Sequence, residues 1–293
     1  MSPWWLVVMV AAQLSSFACT IALLAMVVRT RQWFAVSCAS LTGNAVTNIL
    51  PAGDAVGAGV QYRMLAVAGI DADQVAGGLA AASILGLASV LVLPVFALPA
   101  LLGGLSASVG LVRAGELGVA GFVLVVAFSV LMMTSDRSLV ALARALQWLV
   151  NRLWRRRTIT TWPRRFVEQR DFMRSELGRN WVRATLLVGG HVGLDYLSLL
   201  AALRATGAQF NPSLVLLAFA ATAVIAFVPI TPGGLGVVEA SLSGLLVLAG
   251  VPGSQALEAT FVFRLASYWM PVIVGGLFYL LFRRRYGPLG AAT

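Results

Sequence analysis

The sequence contains no lysine: all 21 basic residues are arginine. It has a single histidine and two cysteines, and charged residues make up only 11% of its 293 positions. No two His or Cys stand at metal-ligand spacing, which removes the usual signatures of a zinc hydrolase. A Gly-x-Ser-x-Gly nucleophile elbow is also missing. We therefore expect no metal, no cofactor and no catalytic residue. Cys19 and Cys38 both sit in apolar segments and read as small buried residues, not as a disulfide framework.

What fills the sequence is apolar. Hydrophobic residues reach 59% and the mean hydropathy is +0.89, far from the balance of a soluble domain. A spanning helix needs about 20 mainly apolar residues, and Trp4 to Val28 and Gln74 to Leu102 each exceed that without a charge. No basic region precedes the first run and arginines follow it, so it reads as a retained span, not a signal peptide. Arginine in place of lysine, with abundant Ala, Gly and Val, suggests a high-GC bacterial genome. The expectation is an all-α integral protein of a bacterial inner membrane, in one domain over 1–293.

Charge and Gly/Pro punctuation place spans near 4–28, 33–50, 74–102, 117–134, 185–205, 212–228 and 255–282, seven in all. Two shorter pieces, 59–70 and 237–250, lie beside Gly/Pro breaks and read as broken or re-entrant half-helices. Between Asp136 and Arg183 lie 12 Arg against 4 acids, +8 of the chain's net +10. The positive-inside rule makes this stretch cytoplasmic. Within it Leu139, Leu142, Leu146, Leu149, Val150 and Leu153 recur at helical spacing with Arg137, Arg144 and Arg152 between them. That pattern predicts a basic amphipathic helix on anionic inner-leaflet lipid, with nucleic acid as the weaker alternative. Arg29 and Arg31 after the first span, and Arg283 to Arg285 at the end, set the N-terminus outside and the C-terminus in the cytoplasm.

An offset of 181 pairs Pro51 with Pro232, Gly53 with Gly234, Val56 with Val237, Leu65 with Leu246, Ala68 with Ala249, Gly69 with Gly250 and Gln74 with Gln255. The same offset carries span onto span. Residues 4–102 and 185–283 then form two repeats, inverted by the extra crossing in a linker of 117–184. Inverted repeats with corresponding breaks point to a transporter whose site lies between the halves.

Broken backbone at membrane depth needs protein or a wet cavity around it. The candidate site therefore lies at 44–63 and 229–240. Gly233, Gly234 and Gly236 let backbone N–H groups approach an anionic group at a helix start. Ionisable residues inside spans mark function by default. Arg63 and Arg264 are the forks expected on a phosphate, with Asp54 and Glu239 pairing with them or with a cationic group. Tyr62 and Tyr268 stand beside the arginines as hydrogen-bond donors or interface residues. A structural Glu239–Arg264 ion pair is the plainer alternative. His191 and Asp195, four apart, share a helix face as a candidate proton-coupling pair, or simply bond across helices. Asn44 and Asn48 are expected to satisfy the broken backbone.

"PITPGGLGVVEASLSGLL", "AGVP" and "VFRLASYWMP" together resemble the lysylphosphatidylglycerol synthase transmembrane-region family. "NILPAGDAVGAGVQYRMLAVAG" and "HVGLDYLSLLAAL" resemble its stand-alone actinobacterial members. The resemblance implies movement of a polar-headed lipid between leaflets. The sequence shows no soluble aminoacyltransferase domain of the two-part proteins, so the cargo expectation widens to an anionic phospholipid or a polyprenyl-phosphate-linked lipid. A homo-oligomer or an envelope-biosynthesis partner is a further candidate association. The alternatives are an intramembrane enzyme acting on a polyprenyl-phosphate head group and a non-transporting scaffold.

Overall fold

The computed structural model describes residues 3–50, 53–102, 162–226 and 231–288. The expected span at 117–134 and the amphipathic helix over 137–156 lie outside the described residues. So do Pro51 and residues 227–230.

The described elements are all helical: α1 (Pro3–Val27), α2 (Trp33–Ile49), α3 (Gly53–Val67), α4 (Ala72–Leu102), α5 (Trp162–Ala205), α6 (Pro212–Ala226), a 3-10 turn (Pro232–Gly234), α7 (Val237–Leu248), α8 (Gly253–Arg264), a π-turn (Leu265–Trp269) and α9 (Met270–Tyr286). Among the described residues, three stretches are long and apolar enough to cross a bilayer: Pro3–Val27, Asn180–Ala205 and Gly253–Tyr286. The two pieces beside the breaks are shorter. α3 has 15 residues and α7 has 12, about 22 and 18 Å at 1.5 Å per residue, against a hydrocarbon core of about 30 Å.

Three boundaries differ from the sequence expectation. α3 starts at Gly53, six residues before the piece expected from 59. The basic segment does not stop before the fifth span: α5 runs through 184/185 as one helix, kinked at Asn180, where φ is −121°. The last expected span is interrupted at Leu265–Trp269, where the Met270 N–H bonds back to Leu265 O, five residues away. Pro271 follows at once and has no N–H for the regular ladder, which accounts for a widened turn here.

Two cores hold the bundle. One joins the ends of α5, α6, α7 and α8, with Met9 of α1 and Leu93 of α4 inserted. The other joins α1, α2, α3 and the start of α4, with Ala184 of α5 and Phe282 of α9 inserted. Each half thus lends side chains to the other. α1 crosses α5, α2 packs on α9, and α4 packs on α6.

Outside these cores large apolar side chains face outward, Leu186 at 68% and Ile273 at 65% exposure among them. A continuous apolar exterior is what a lipid solvent requires and water does not tolerate. Helix association in lipid rests on close packing at small residues and on interhelical hydrogen bonds. α2 shows both: Thr42 Oγ1 donates to Gly275 O at 3.2 Å, and a Cβ at Gly275 would meet Leu41 O and the Ala45 methyl. Gly275→Ala is accordingly expected to lower thermal stability in detergent by about 1–3 kcal/mol through overpacking. Gly276→Ala, whose Cβ has open space, is the control and should be near neutral.

Four turns repeat one geometry. At Arg29 (φ 50°) and Gly207 (φ 77°), and again at Gly69 (φ 84°) and Gly250 (φ 91°), the chain leaves a helix through a left-handed residue. The bonds Thr30 N–H to Ala25 O and Ala208 N–H to Leu203 O match each other, as do Ile70 N–H to Leu65 O and Val251 N–H to Leu246 O. These are Schellman caps.

Candidate functional site

A cavity of about 460 Å³ opens between the two halves, lined from α1, α2, α3, α5, α6, α7, α8 and both irregular turns. Of the residues expected from sequence, Asp54, His191, Asp195, Gly233 and Arg264 line it.

The Pro-Gly-Gly turn answers first for its own backbone. Gly234 N–H bonds Thr231 O, Leu235 N–H bonds Pro232 O, and the Thr231 hydroxyl donates to Leu235 O at 2.8 Å. Gly236 then delivers the chain into α7, and Glu239 in the first turn of that helix accepts the Gly236 N–H at 2.6 Å. A carboxylate at this position caps an orphan N–H and sits well in the helix dipole.

The other Glu239 oxygen receives Arg264 Nε at 2.6 Å, with the two side chains only 16% and 12% exposed. Arg264 Nη2 donates to Gly233 O at 3.1 Å, and its guanidinium carbon lies 4.6 Å from the Tyr268 ring centre. The paired arrangement that sequence left open is therefore present. These bonds use two of the five guanidinium N–H donors.

Tyr268 and Asn48 complete a knot. The Tyr268 hydroxyl donates to Asn48 O at 2.9 Å and Asn48 Nδ2 donates to Tyr268 O at 3.2 Å. This reciprocal pair ties the end of α2 to the π-turn. The Asn48 side chain thus serves the π-turn backbone and neither of the two expected breaks, whereas Asn44 faces the cavity.

His191 and Asp195 each find a partner on α1. Ser16 Oγ lies 2.6 Å from His191 Nδ1 and also donates to His191 O at 3.1 Å, while Gln13 Nε2 donates to Asp195 Oδ1 at 3.0 Å. Both are thus bonded across helices, at the α1/α5 crossing.

Arg63 and Tyr62 are exposed on α3 and are not among the cavity-lining residues, so the structure does not bring Arg63 together with Arg264. The neighbouring Gln61 lines the cavity instead. On a helix, one residue's step turns a side chain by about 100°, enough to exchange cavity for exterior. Gln13, Thr47, Gln61 and Ser267 were the residues that charge-based reading passed over. Their signal was a neutral polar group inside an apolar run.

Residues 1–275 match the family described as "Lysylphosphatidylglycerol synthase TM region". The chain belongs to that family. Among curated relatives, it is 33% identical over 85 residues to a UPF0104 membrane protein of Methanothermobacter thermautotrophicus, covering 29% of the chain and 25% of that protein. It is 32% identical over 92 residues to a UPF0104 membrane protein of Pyrococcus horikoshii, covering 31% of the chain and 28% of that protein. The aligned stretch thus spans about a quarter of each curated relative. No solved structure matches. Family membership and the apolar helices together make this a membrane-associated, multi-helix protein of a family broadly linked to lipid modification and flippase-type membrane proteins.

Proposed function

We propose that the chain moves a phosphate-bearing lipid, an anionic phospholipid or a polyprenyl-phosphate-linked lipid, between the leaflets of a bacterial inner membrane, without chemical change. The observation that carries this reading is an open cavity of about 460 Å³, lined by charged and amide side chains such as Asp54, Asp195, Arg264, Asn44 and Gln61, in a bundle whose exterior is apolar. Arg264 holds the phosphate with the donors that Glu239 and Gly233 leave free. The acyl chains stay in lipid while the head group avoids the cost of several kcal/mol for an unpaired polar group in hydrocarbon.

The architecture in this proposal is seven spans plus two re-entrant hairpins, in two inverted repeats over 4–102 and 185–283, joined by the linker of 117–184, N-terminus outside and C-terminus inside. Support for the repeat comes from the matched turns at Arg29/Gly207 and Gly69/Gly250. The exchanged packing of α2 on α9 and α4 on α6 supports it as well. The offset is 178 at the first pair of turns and 181 at the second, so the chain between Gly207 and Gly250 is three residues longer than that between Arg29 and Gly69.

Purified protein in liposomes tests the reading. A labelled phosphatidylglycerol or polyprenyl phosphate should become accessible from the opposite leaflet with its mass unchanged. A second reading, an intramembrane enzyme on the same head groups, rests on Asp54 and Asp195 both lining the cavity; a new lipid product in the same assay would establish it. His191 and Asp195 couple the movement to protons in this proposal. Asp195→Asn is then expected to remove the response to an imposed pH gradient, and a gradient response that survives this substitution disposes of the coupling.

A further inference from the structure

The arginines at the end of the bundle where α1 leads into α2 and α9 stops are not interchangeable. Arg29 and Arg31 lie in the turn between α1 and α2, and Arg283, Arg284 and Arg285 close α9, which packs along α2. Setting an orientation, or suiting the C-terminal dipole of α9, needs charge alone. One of the five has more than charge. Phe282, Arg285 and Tyr286 share a face of α9 at i, i+3 and i+4. Phe282 is buried and stacks on Tyr286 with ring centres 4.7 Å apart, and Tyr286 meets Phe34, in the first turn of α2, at 6.4 Å. The Arg285 guanidinium carbon lies 4.8 Å from the Phe34 ring centre and 5.7 Å from that of Tyr286.

A guanidinium attracted through its face keeps its five N–H donors, which point outward in its own plane. Arg285 donates none of them to a described residue. Among the described residues no carboxylate forms an ion pair with Arg31, Arg283, Arg284 or Arg285. The acids of the next turn, Asp71 and Asp73, stand at the start of α4, where Asp71 Oδ1 accepts the N–H groups of Asp73 and Gln74 at 3.1 and 3.0 Å. What results is a positive end with one preset fork, a geometry that matches phosphate. The surroundings decide what carries that phosphate. The apolar stretch Gly253–Tyr286 ends here, and Trp33 beside Phe34 and Leu281 one helical turn before Arg285 are both exposed. A soluble anion would leave them bare, whereas the acyl chains of a lipid cover them.

We propose that this end of the bundle binds the phosphate of an anionic lipid in the leaflet it faces, with Arg285 as the fork and Arg31 as the second charge, at a site separate from the cavity. Such a lipid touches both α2 and α9, and so fastens the first half of the bundle to the second. The binding does not rest on the transport reading; in the orientation proposed above, the leaflet is the inner one.

The test is photolabelling of the full chain in phosphatidylcholine nanodiscs by a phosphatidylglycerol with a diazirine near its head group, mapped by peptide mass spectrometry. Label should appear in the first turn of α2 and the last turns of α9, and unlabelled phosphatidylglycerol should displace it where phosphatidylcholine does not. Arg285→Gln should lower this labelling about tenfold, more than the roughly fivefold of one arginine acting through surface charge alone. Arg283→Gln, about 200° away around the helix, should stay within that fivefold. Arg285→Lys keeps the charge without the fork and should fall between the native chain and Arg285→Gln. Arg204→Gln, whose arginine lies 4.8 Å from the Phe210 ring at the end of α5, should leave the labelling intact. Label elsewhere on the chain, unchanged in Arg285→Gln, shows that the fold has survived. Equal losses in Arg283→Gln and Arg285→Gln would reduce the site to surface charge and overturn the proposal, as would displacement of the probe by millimolar inorganic phosphate. Labelling that depends on Arg285 in a chain that does not flip lipid would remove the transport reading alone. Flipping with labelling indifferent to Arg285 would remove this site alone.

Discussion

Arg264→Ala should reduce lipid movement in liposomes by roughly thirtyfold or more. Truncating one partner of a desolvated, hydrogen-bonded charge pair costs about 2–5 kcal/mol, and every 1.4 kcal/mol is a decade in an equilibrium constant. The same substitution removes the donor to Glu239 and to Gly233 O, leaving Glu239 at 16% exposure without its cation. Breaking a buried pair in this one-sided way destabilises by about 3–5 kcal/mol, and the partial exposure of both side chains places the expectation near the lower end.

Stability and transport separate through the second substitution. Glu239→Ala alone strips the Gly236 N–H of its acceptor and frees Arg264. The double variant Arg264→Ala/Glu239→Ala should regain part of the stability lost in Arg264→Ala, because no orphaned carboxylate remains, and yet stay inactive. Arg264→Lys keeps the charge but not the fork; one ammonium cannot reproduce the Nε contact to Glu239 and the Nη2 contact to Gly233 together, so partial activity is expected. If the double variant flipped lipid at the native rate, Arg264 would have no part in binding the head group and would serve only to fasten the turn.

Much of this site was legible in the sequence because charge inside an apolar run is rare and expensive. Glu239 and Arg264 stood out in that way, and they are bonded. The glycines at 233, 234 and 236 marked a turn, and all three have positive φ. Arg63 carried the same signal as Arg264 and yet faces outward. A weak helical pattern in α3, with Gly and Ala on every side, gave no way to tell its cavity face from its exterior face. Neutral Gln13 and Gln61 were hidden for the opposite reason: their cost in an apolar helix is small enough to pass unremarked, and only the third dimension brings Gln13 onto Asp195 and Gln61 into the cavity. Helix identity followed from hydropathy in the apolar runs, but not in the basic stretch from Trp162 that α5 incorporates. The widened turn before Met270 did not, since Pro271 alone does not say whether a helix will kink, end or take up an extra residue.

Gly233→Ala is expected to have the second largest effect, through the backbone and not through charge. Gly233 sits at φ 55°, a left-handed conformation costing about 1–2 kcal/mol for a residue with a Cβ. The added methyl would also meet Asn48 O and the Tyr268 ring, the two groups that bond each other across the gap. Backbone and aromatic ring cannot both yield without opening that knot, so the turn must move and carry Gly233 O away from Arg264. We expect a loss of about 3 kcal/mol or more in thermal stability, combining the strain with overpacking of about 1–3 kcal/mol, and a parallel loss of lipid movement. Gly236→Ala gives the case without crowding: it has open space around its Cβ, but at φ 81° and ψ −44° it carries the cost of a different, rarer backbone conformation. A loss in Gly233→Ala no larger than the about 1–2 kcal/mol of the left-handed conformation would mean that the turn does not press on Asn48 and Tyr268. The link between the end of α2 and the π-turn would then rest on the reciprocal Asn48–Tyr268 bonds without help from the glycine.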